Sequence, residues 1–386
     1  MSSMSSETPE AALGELARIK DRALPLYDGF RNIVLQNRPL IDVRAPVEFA
    51  KGSFPGAVNL PLLDDDERRR IGIRYKEAGN AAAVALGRTL VEPRKDERAA
   101  AWAAFVREHP DALLYCFRGG QRSQIAQAWL EDTAGSTVAR LAGGYKAFRQ
   151  FLIQESERIA AHADTLIVGG RTGSGKTLLI ERLDNAVDLE ALANHRGSSF
   201  GRKIAPQPTQ IDFENRLAYA LIRHEARSFR HLVIEHESHN IGRVYIPKPV
   251  YDSFMQGGLV ILVTPLDERT EITFDEYVTK ALEAYRQAFG DAGAHRWFED
   301  ANAGIDRIKK RLGNERYTQI KQLFSTAFST QLQTGETSGH KPWIRMLLRD
   351  YYDPMYDYQI EKSPLPVIFR GGADDVLAFI RARENG

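Results

Sequence analysis

Tyr115-Cys116-Phe117-Arg118-Gly119-Gly120-Gln121-Arg122-Ser123 holds the single cysteine of a 386-residue chain. The apolar run Ala112, Leu113, Leu114, Tyr115 precedes it and reads as a short buried strand. Ile125, Ala126, Trp129 and Leu130 follow with the spacing of one helix face. Cys116 is therefore expected where a strand ends and a helix begins. Gly119 and Gly120 let the loop curl so that several N–H groups face one point. The helix start adds partial positive charge, and Arg118 or Arg122 adds a full one. All three favour thiolate, the nucleophilic form of cysteine. The same cradle of Arg118, Gly119, Gly120 and Ser123 suits a tetrahedral anion. Cys116 and Arg122 are the candidate catalytic residues. The competing reading is a buried inert thiol, and the coincidence of glycines, arginines and a helix start argues against it.

A chain of this length exceeds one ordinary core, so two domains are expected. Hydrophobic content of 43% with 27% charged residues is that of a soluble globular protein. The net charge of +1 announces no nucleic-acid partner, so any such binding must use local patches. One cysteine excludes an intrachain disulfide and a Cys-rich metal site, and it fits a reducing compartment. Residues 1–10 are polar, lack the apolar core of a signal peptide and are expected to be disordered. The longest apolar runs, such as residues 259–263, are far short of a membrane span. A cytoplasmic monomer is the expectation.

A second motif follows. Thr165-Leu166-Ile167-Val168 reads as a buried strand running into Gly169-Gly170-Arg171-Thr172-Gly173-Ser174-Gly175-Lys176-Thr177, and then into a helix with Leu178, Leu179 and Ile180. From Gly170 this is G-x-x-x-x-G-K-T between strand and helix, the context of a phosphate-binding P-loop. Gly170, Gly173, Ser174 and Gly175 would bring backbone N–H groups to phosphate oxygens. Lys176 would neutralise the terminal phosphate, and Thr177 can hold Mg²⁺. A strand at Leu232, Val233, Ile234 ends in Glu235-His236-Glu237-Ser238, and Glu235 or Glu237 can reach the metal shell. The pair Thr177 and Glu235 is the candidate Mg²⁺ site, and no tightly bound cofactor is expected. The loop His195-Arg196-Gly197-Ser198-Ser199-Phe200-Gly201 offers Arg196 to phosphate or RNA. His224, His231, His236 and His239 lack metal-ligand spacing.

The C-terminal third reads as helical and locally basic, with Lys309, Lys310 and Arg311 in a row and Lys341, Arg345, Arg349 at i, i+4, i+8. Tyr351, Tyr352, Tyr356 and Tyr358 come next. Such a surface can hold an RNA backbone and stack bases. A solvated face with aromatics in the core is the plainer account, as it is for the run Asp64 to Arg70.

Asp42-Val43-Arg44, the Gly/Pro-punctuated stretch ending in Ala57-Val58-Asn59-Leu60-Pro61, and Leu141-Ala142-Gly143-Gly144-Tyr145 resemble the opening and closing parts of a rhodanese domain. The cysteine loop also resembles that of cysteine phosphatases. Strands alternating with helices imply a parallel sheet covered on both faces. The expected fold is therefore α/β. It has an N-terminal tail over residues 1–24, a rhodanese-like parallel-sheet domain over 25–155, and a P-loop NTPase-like domain with a basic helical C-terminal part over 156–386.

The ordered pair of motifs, with Ala193-Asn194-His195-Arg196-Gly197-Ser198 and Glu235-His236-Glu237-Ser238, resembles the tRNA 2-selenouridine synthase family over nearly the whole chain from Asp42. The resemblance implies replacement of sulfur by selenium in 2-thiouridine at the tRNA wobble position. It implies geranylation of the sulfur from geranyl diphosphate at the P-loop, then transfer of selenium from selenophosphate through Cys116. The partners so implied are tRNA and these two small-molecule donors. Two rivals stand beside it. One is a cysteine phosphatase or sulfurtransferase fused to an NTPase- or kinase-like domain. The other is a non-catalytic rhodanese module with a nucleotide switch.

Overall fold

The computed structural model describes residues 9–196 and 203–385. It divides into two compact units. One is formed by the described residues up to Ser156 together with Thr209–Ala226, the other by Glu157–Pro208 together with the chain from Arg227 onward.

In the first unit β1 (Leu26–Tyr27), β2 (Leu40–Asp42), β3 (Ala57–Asn59), β4 (Leu113–Tyr115) and β5 (Ala139–Leu141) form one sheet in the order β1-β5-β4-β2-β3. Every pairing is parallel. The central strands β2 and β4 are buried along their whole length, as a sheet covered on both faces requires. On one face Trp102 and Trp129 stack in a core that also takes in Ile41, Leu114 and Cys116. The C-terminal ends of β2 and β4 thus place Asp42 and Cys116 at the same edge of the sheet.

The charges that close β2 are buried. Asp42 is 0% and Arg44 2% exposed. The Arg44 guanidinium donates to the Asp42 carboxylate at 2.6 to 3.0 Å and to the Gly52 carbonyl at 2.8 Å. It also lies 3.9 Å from the centre of the Tyr145 ring. The Asn59 amide donates to the carbonyls of both Asp42 and Arg44. This network ties β2, β3 and the loop around Gly52 together.

Three elements depart from the sequence expectations. The helix Gln210–Ala226 falls within the residues expected to form the P-loop domain, yet it packs in the first unit. Its apolar face buries Phe213, Leu217 and Tyr219, and its polar side clasps Ser53. Asp212 accepts the Ser53 N–H at 2.7 Å, and Asn215 donates to the Ser53 carbonyl at 2.7 Å. The segment Asp64 to Arg70 is a capped helix start, with Asp64 accepting the Glu67 N–H at 2.8 Å, but Glu67 is not solvated. It is buried and paired with Arg98 at 2.7 Å. The helix Asp65–Val91 is broken at Gly79, whose φ of 77° reverses the chain between two helical legs. At the N-terminus, the spacing of Leu13, Leu16 and Ile19 suits a short amphipathic helix, and the helix Pro9–Asp21 contains them but starts two residues inside the stretch expected to be disordered, the rest of which lies outside the described residues.

The second unit is built on β6 (Asp164–Gly170), β7 (Ala186–Val187), β8 (His231–Glu235), a small antiparallel pair β9 (Asn240–Ile241) and β10 (Val244–Tyr245), then β11 (Gly258–Leu262) and β12 (Val367–Gly371). The main sheet has the order β12-β11-β6-β8-β7, all parallel. The chain leaves β6 toward one side and returns to β11 on the other. The C-terminal end of β6 is therefore a topological switch point, where open α/β sheets form their ligand crevice.

Helices Gly293–Leu312, Asn314–Thr334 and Lys341–Leu347 pack around Trp297, Phe324, Phe328 and Trp343. Tyr351 and Tyr352 belong to that core rather than to a surface. Among the described residues, no helix is long and apolar enough to cross a membrane.

The buried Asp42–Arg44 pair yields a test. Asp42→Ala leaves an uncompensated guanidinium in the core and should lower unfolding free energy by about 3–5 kcal/mol, read by urea denaturation. A change below about 1 kcal/mol would show that the pair behaves like a surface ion pair.

Candidate active site

Cys116 follows β4 directly and is 3% exposed. Its Sγ lies 3.3 Å from the Ser123 hydroxyl, which in turn donates to the Gly120 carbonyl at 3.0 Å. The helix Gln121–Ala134 starts at Gly120 with no side-chain cap. The loop thus has the strand–turn–helix form expected.

Two glycines hold it in place. Gly119 has φ +65° and Gly144 has φ +60°, conformations that disfavour any side chain. A Cβ on Gly144 would lie 2.3 Å from the Gly119 nitrogen and 2.4 Å from the Cys116 carbonyl oxygen. The following residues pin the loop from behind, with Tyr145 N–H donating to Cys116 O and Lys146 N–H to Phe117 O, both at 2.9 Å.

The arginines are distributed differently from the expectation. Arg122 reaches away to Glu48, at 2.5 and 3.1 Å, so its charge is largely matched. Burial opposes ionisation of Glu48, but the hydrogen bond and charge of Arg122, with help from Arg68, hold its carboxyl below the usual range. Arg118 is exposed beside the Phe117 ring. The cation behind the loop is Arg140, on β5. It donates to Gly119 O at 3.4 Å and to Gln127 at 3.0 Å. Burial lowers the pKa of this guanidinium, and its attraction to the Cys116 sulfur works the other way. Arg140 lies outside the cysteine motif, and only the sheet order, which sets β5 against β4, brings it there.

In the second unit the P-loop leaves β6 and enters the short helix Lys176–Ile180. A cavity of about 100 Å³ is lined by residues 172–178 with Glu190, Arg196, Glu237, Thr273 and Glu276. Close packing shapes the loop. A Cβ on Gly173 would meet Thr273 Oγ1 at 2.3 Å, and one on Gly170 would meet Ser174 Oγ at 2.6 Å. The Ser174 and Thr273 hydroxyls are buried without a hydrogen-bond partner among the described residues. Arg269 ties the loop to the helical region through Thr172 O at 3.3 Å and a buried pair with Asp353 at 2.6 Å. Lys176 Nζ donates to Gly170 O at 3.0 Å.

Of the two carboxylates offered by the sequence, Glu237 and not Glu235 faces this cavity. Glu235 is buried at the end of β8 and accepts the Leu189 N–H at 2.8 Å. Burial, with Asp188 beside it, raises its pKa well above the carboxylate range. Glu237 is pushed up to about 8 by burial and by Glu190. The pKa of His236 is lowered by burial and by the charge of Lys176.

Among the described residues no group of three or more His, Cys, Asp or Glu is arranged to hold a metal ion. Thr177, Glu237 and Glu190 nevertheless give the cavity hard oxygen donors. That is a fitting partial set for Mg²⁺, which usually takes one or two carboxylates and completes its shell with phosphate and water.

Arg196, a weak candidate from its loop alone, stands at this cavity and pairs with Glu276 at 2.9 Å. Residues 197–201 of its loop lie outside the described residues. Lys309, Lys310 and Arg311 form an exposed last turn of their helix, with Lys309 4.8 Å from the Tyr317 ring centre. The row Lys341, Arg345, Arg349 is matched by acids: Glu271, Asp267 and Asp350 respectively.

Comparison with known proteins agrees with this two-site arrangement. Residues 27–151 match the rhodanese-like domain, and residues 163–386 match the tRNA 2-selenouridine synthase AAA domain. The chain belongs to the tRNA 2-selenouridine synthase family. It is 54% identical to a tRNA 2-selenouridine synthase of Sulfurovum sp. over 93% of this chain and 98% of that one. It is 49% identical to one from Hydrogenovibrio crunogenus, over 92% and 99%. A third, from Pseudomonas fluorescens, is 45% identical over 92% and 97%. Members of the tRNA 2-selenouridine synthase family are enzymes, so both loops are read below as catalytic apparatus.

Gly144→Ala tests the backbone contact behind Cys116. The left-handed backbone alone should cost about 1–2 kcal/mol, and the clash should displace the loop. Thiol labelling of the now less protected Cys116 should be at least about tenfold faster, as a loss of about 1.4 kcal/mol of protection gives. Labelling at the parent rate would show that the contact does not hold the loop.

Proposed function

We propose that this protein replaces the sulfur of 2-thiouridine at the tRNA wobble position with selenium, in two half-reactions. The observation that carries the reading is the presence in one chain of a cysteine in an anion cradle and a P-loop cavity of phosphate size.

In the first half-reaction the thiocarbonyl sulfur attacks C1 of geranyl diphosphate. The C–O bond breaks, diphosphate leaves, and the base loses its N3 proton. This converts a poor leaving group into a good one. Lys176, the loop amides and Arg196 face the charge that grows on the departing diphosphate. Thr177, Glu237 and Glu190 would hold Mg²⁺, which when bound supplies further charge to the diphosphate. In the second half-reaction the Cys116 thiolate attacks C2 and expels geranyl thiol, the selenium of selenophosphate then displaces Cys116 from C2, and water cleaves the Se–P bond to release phosphate. The cradle of Gly119, Gly120 and Ser123 suits the phosphate of that donor. Arg140 provides positive charge behind the loop. A covalent adduct between Cys116 and C2 divides one hard substitution into easier steps.

The phosphatase reading needs a protonated carboxyl near the cysteine. Glu48, on the helix Pro46–Phe49 and paired with Arg122 of the helix that follows the loop, has its pKa lowered by Arg122 and Arg68 against the pull of burial, which favours group transfer over phosphate-ester hydrolysis. The target base must leave the anticodon-loop stack to react. The exposed Lys309, Lys310 and Arg311 offer one contact for the RNA backbone. The cytoplasm is the compartment that fits a tRNA substrate and a working thiol.

The division of labour has a direct test. Lys176→Ala should fail to geranylate 2-thiouridine tRNA yet convert pre-geranylated tRNA to the selenouridine form. Cys116→Ala should do the reverse and accumulate S-geranyl tRNA. Nucleoside analysis of each variant with each tRNA and both donors gives the answer. Equal loss of both steps in Lys176→Ala, with tRNA binding and folding intact, would make the P-loop a switch instead.

A further inference from the structure

A large apolar hollow lies in the first unit beside the cysteine loop, and neither half-reaction described above uses it. It is a groove of about 730 Å³, within the range of small-molecule sites, whereas the P-loop cavity has about 100 Å³. Three elements supply most of its walls. The two legs of Asp65–Val91 fold back on each other at Gly79, and a Cβ on Gly87 would already touch Ile71 Cδ1 at 3.4 Å. The helix Pro9–Asp21 contributes Leu16 and Ile19. The first turns of Gln121–Ala134, which begin directly after the Cys116 loop, contribute Gln121, Arg122 and Ile125.

The floor is apolar and the rim is basic. Arg68, Arg69, Lys76, Arg88 and Arg122 line the groove with two carboxylates, Glu48 and Glu92; Arg68 and Arg122 share Glu48 and Arg69 pairs with Asp66, which leaves the rim with a positive balance. Ile73 and Tyr75 also line it and remain 44% and 58% exposed. An open apolar trough beside a reactive loop, edged by cations, matches a hydrocarbon chain attached to a polyanion.

We propose that this groove holds the geranyl chain of the S-geranyl nucleotide during selenium transfer, with the RNA phosphates along its basic rim. The identity of the chain rests on the two-step reading above. The location rests on the groove's own geometry. A phosphate-sized P-loop cavity can grip the diphosphate of the donor but has little room for ten carbons. The groove supplies that room next to the helix that positions Cys116. It would also make the second step selective, since burial of the chain favours the prenylated nucleotide over the unprenylated one.

The test uses the full chain and two anticodon stem-loops, one bearing S-geranyl and one bearing S-methyl 2-thiouridine at the wobble position. The parent should bind the S-geranyl RNA at least about tenfold more tightly, the factor that about 1.4 kcal/mol gives. Ile73→Asp, at an exposed position that folding tolerates, and Val84→Asp, on the facing leg, should bring that preference close to unity while leaving S-methyl binding unchanged. A preference absent from the parent, or retained in both variants, overturns the assignment. Geranyl transfer from geranyl diphosphate is assayed separately on the parent. Its absence alongside an intact, variant-sensitive chain preference would sink the two-step reading while supporting the groove as a prenyl-chain site. Its presence with no chain preference would do the opposite.

Discussion

The backbone of Gly144 approaches the backbone of Cys116 and Gly119 so closely that no side-chain carbon fits between them. Much of the first site depends on this contact. It lets the turn after β5 donate two N–H groups to the cysteine loop, which fixes the loop without using any of its own side chains. Ser123 is then placed against the thiol, and Arg140, carried on β5, is brought behind Gly119. A sheet order that sets β5 beside β4 is the precondition, because only neighbouring parallel strands deliver their C-terminal turns to the same spot.

The P-loop is built on the same principle with different partners. Gly173 gives way to Thr273, and Gly170 to the Ser174 hydroxyl. The buried Arg269–Asp353 pair then anchors the loop to the helices that lie between β11 and β12 in the chain. A buried pair of this kind adds little net stability but is costly to break on one side, so it functions as a positional constraint. The helical C-terminal part therefore does more than add basic surface. It carries the acid that holds the phosphate loop's buttress, and it spends Trp297, Phe324, Phe328, Trp343, Tyr351 and Tyr352 on a core, while Tyr358 stays exposed.

What was legible in the sequence was local. The strand ends, the glycine loops and the helix starts around Cys116 and Lys176 each follow from residues within one short window, and the structure places them as read. What escaped needed contacts between distant segments. Nothing near Arg140 marks it as a neighbour of Cys116, and nothing in Glu67 distinguishes a buried partner of Arg98 from a solvated acid in a charge run. The helix Gln210–Ala226 carries an ordinary amphipathic pattern, and its attachment to Ser53 is visible only in three dimensions. Two-residue strands such as β1 and β7 are too short for alternation to register. At Glu235 and Glu237 both residues fit the sequence argument, and the turn after β8 selects the second.

The central claim is that selenium enters the tRNA only after the sulfur has been prenylated. A single-turnover time course on purified parent enzyme, 2-thiouridine tRNA, selenophosphate and geranyl diphosphate measures this most directly, with nucleosides quantified by mass spectrometry. The account predicts that S-geranyl nucleoside rises first and falls as selenouridine appears, and that omitting geranyl diphosphate abolishes selenouridine. Selenouridine formed at the full rate without geranyl diphosphate would contradict it.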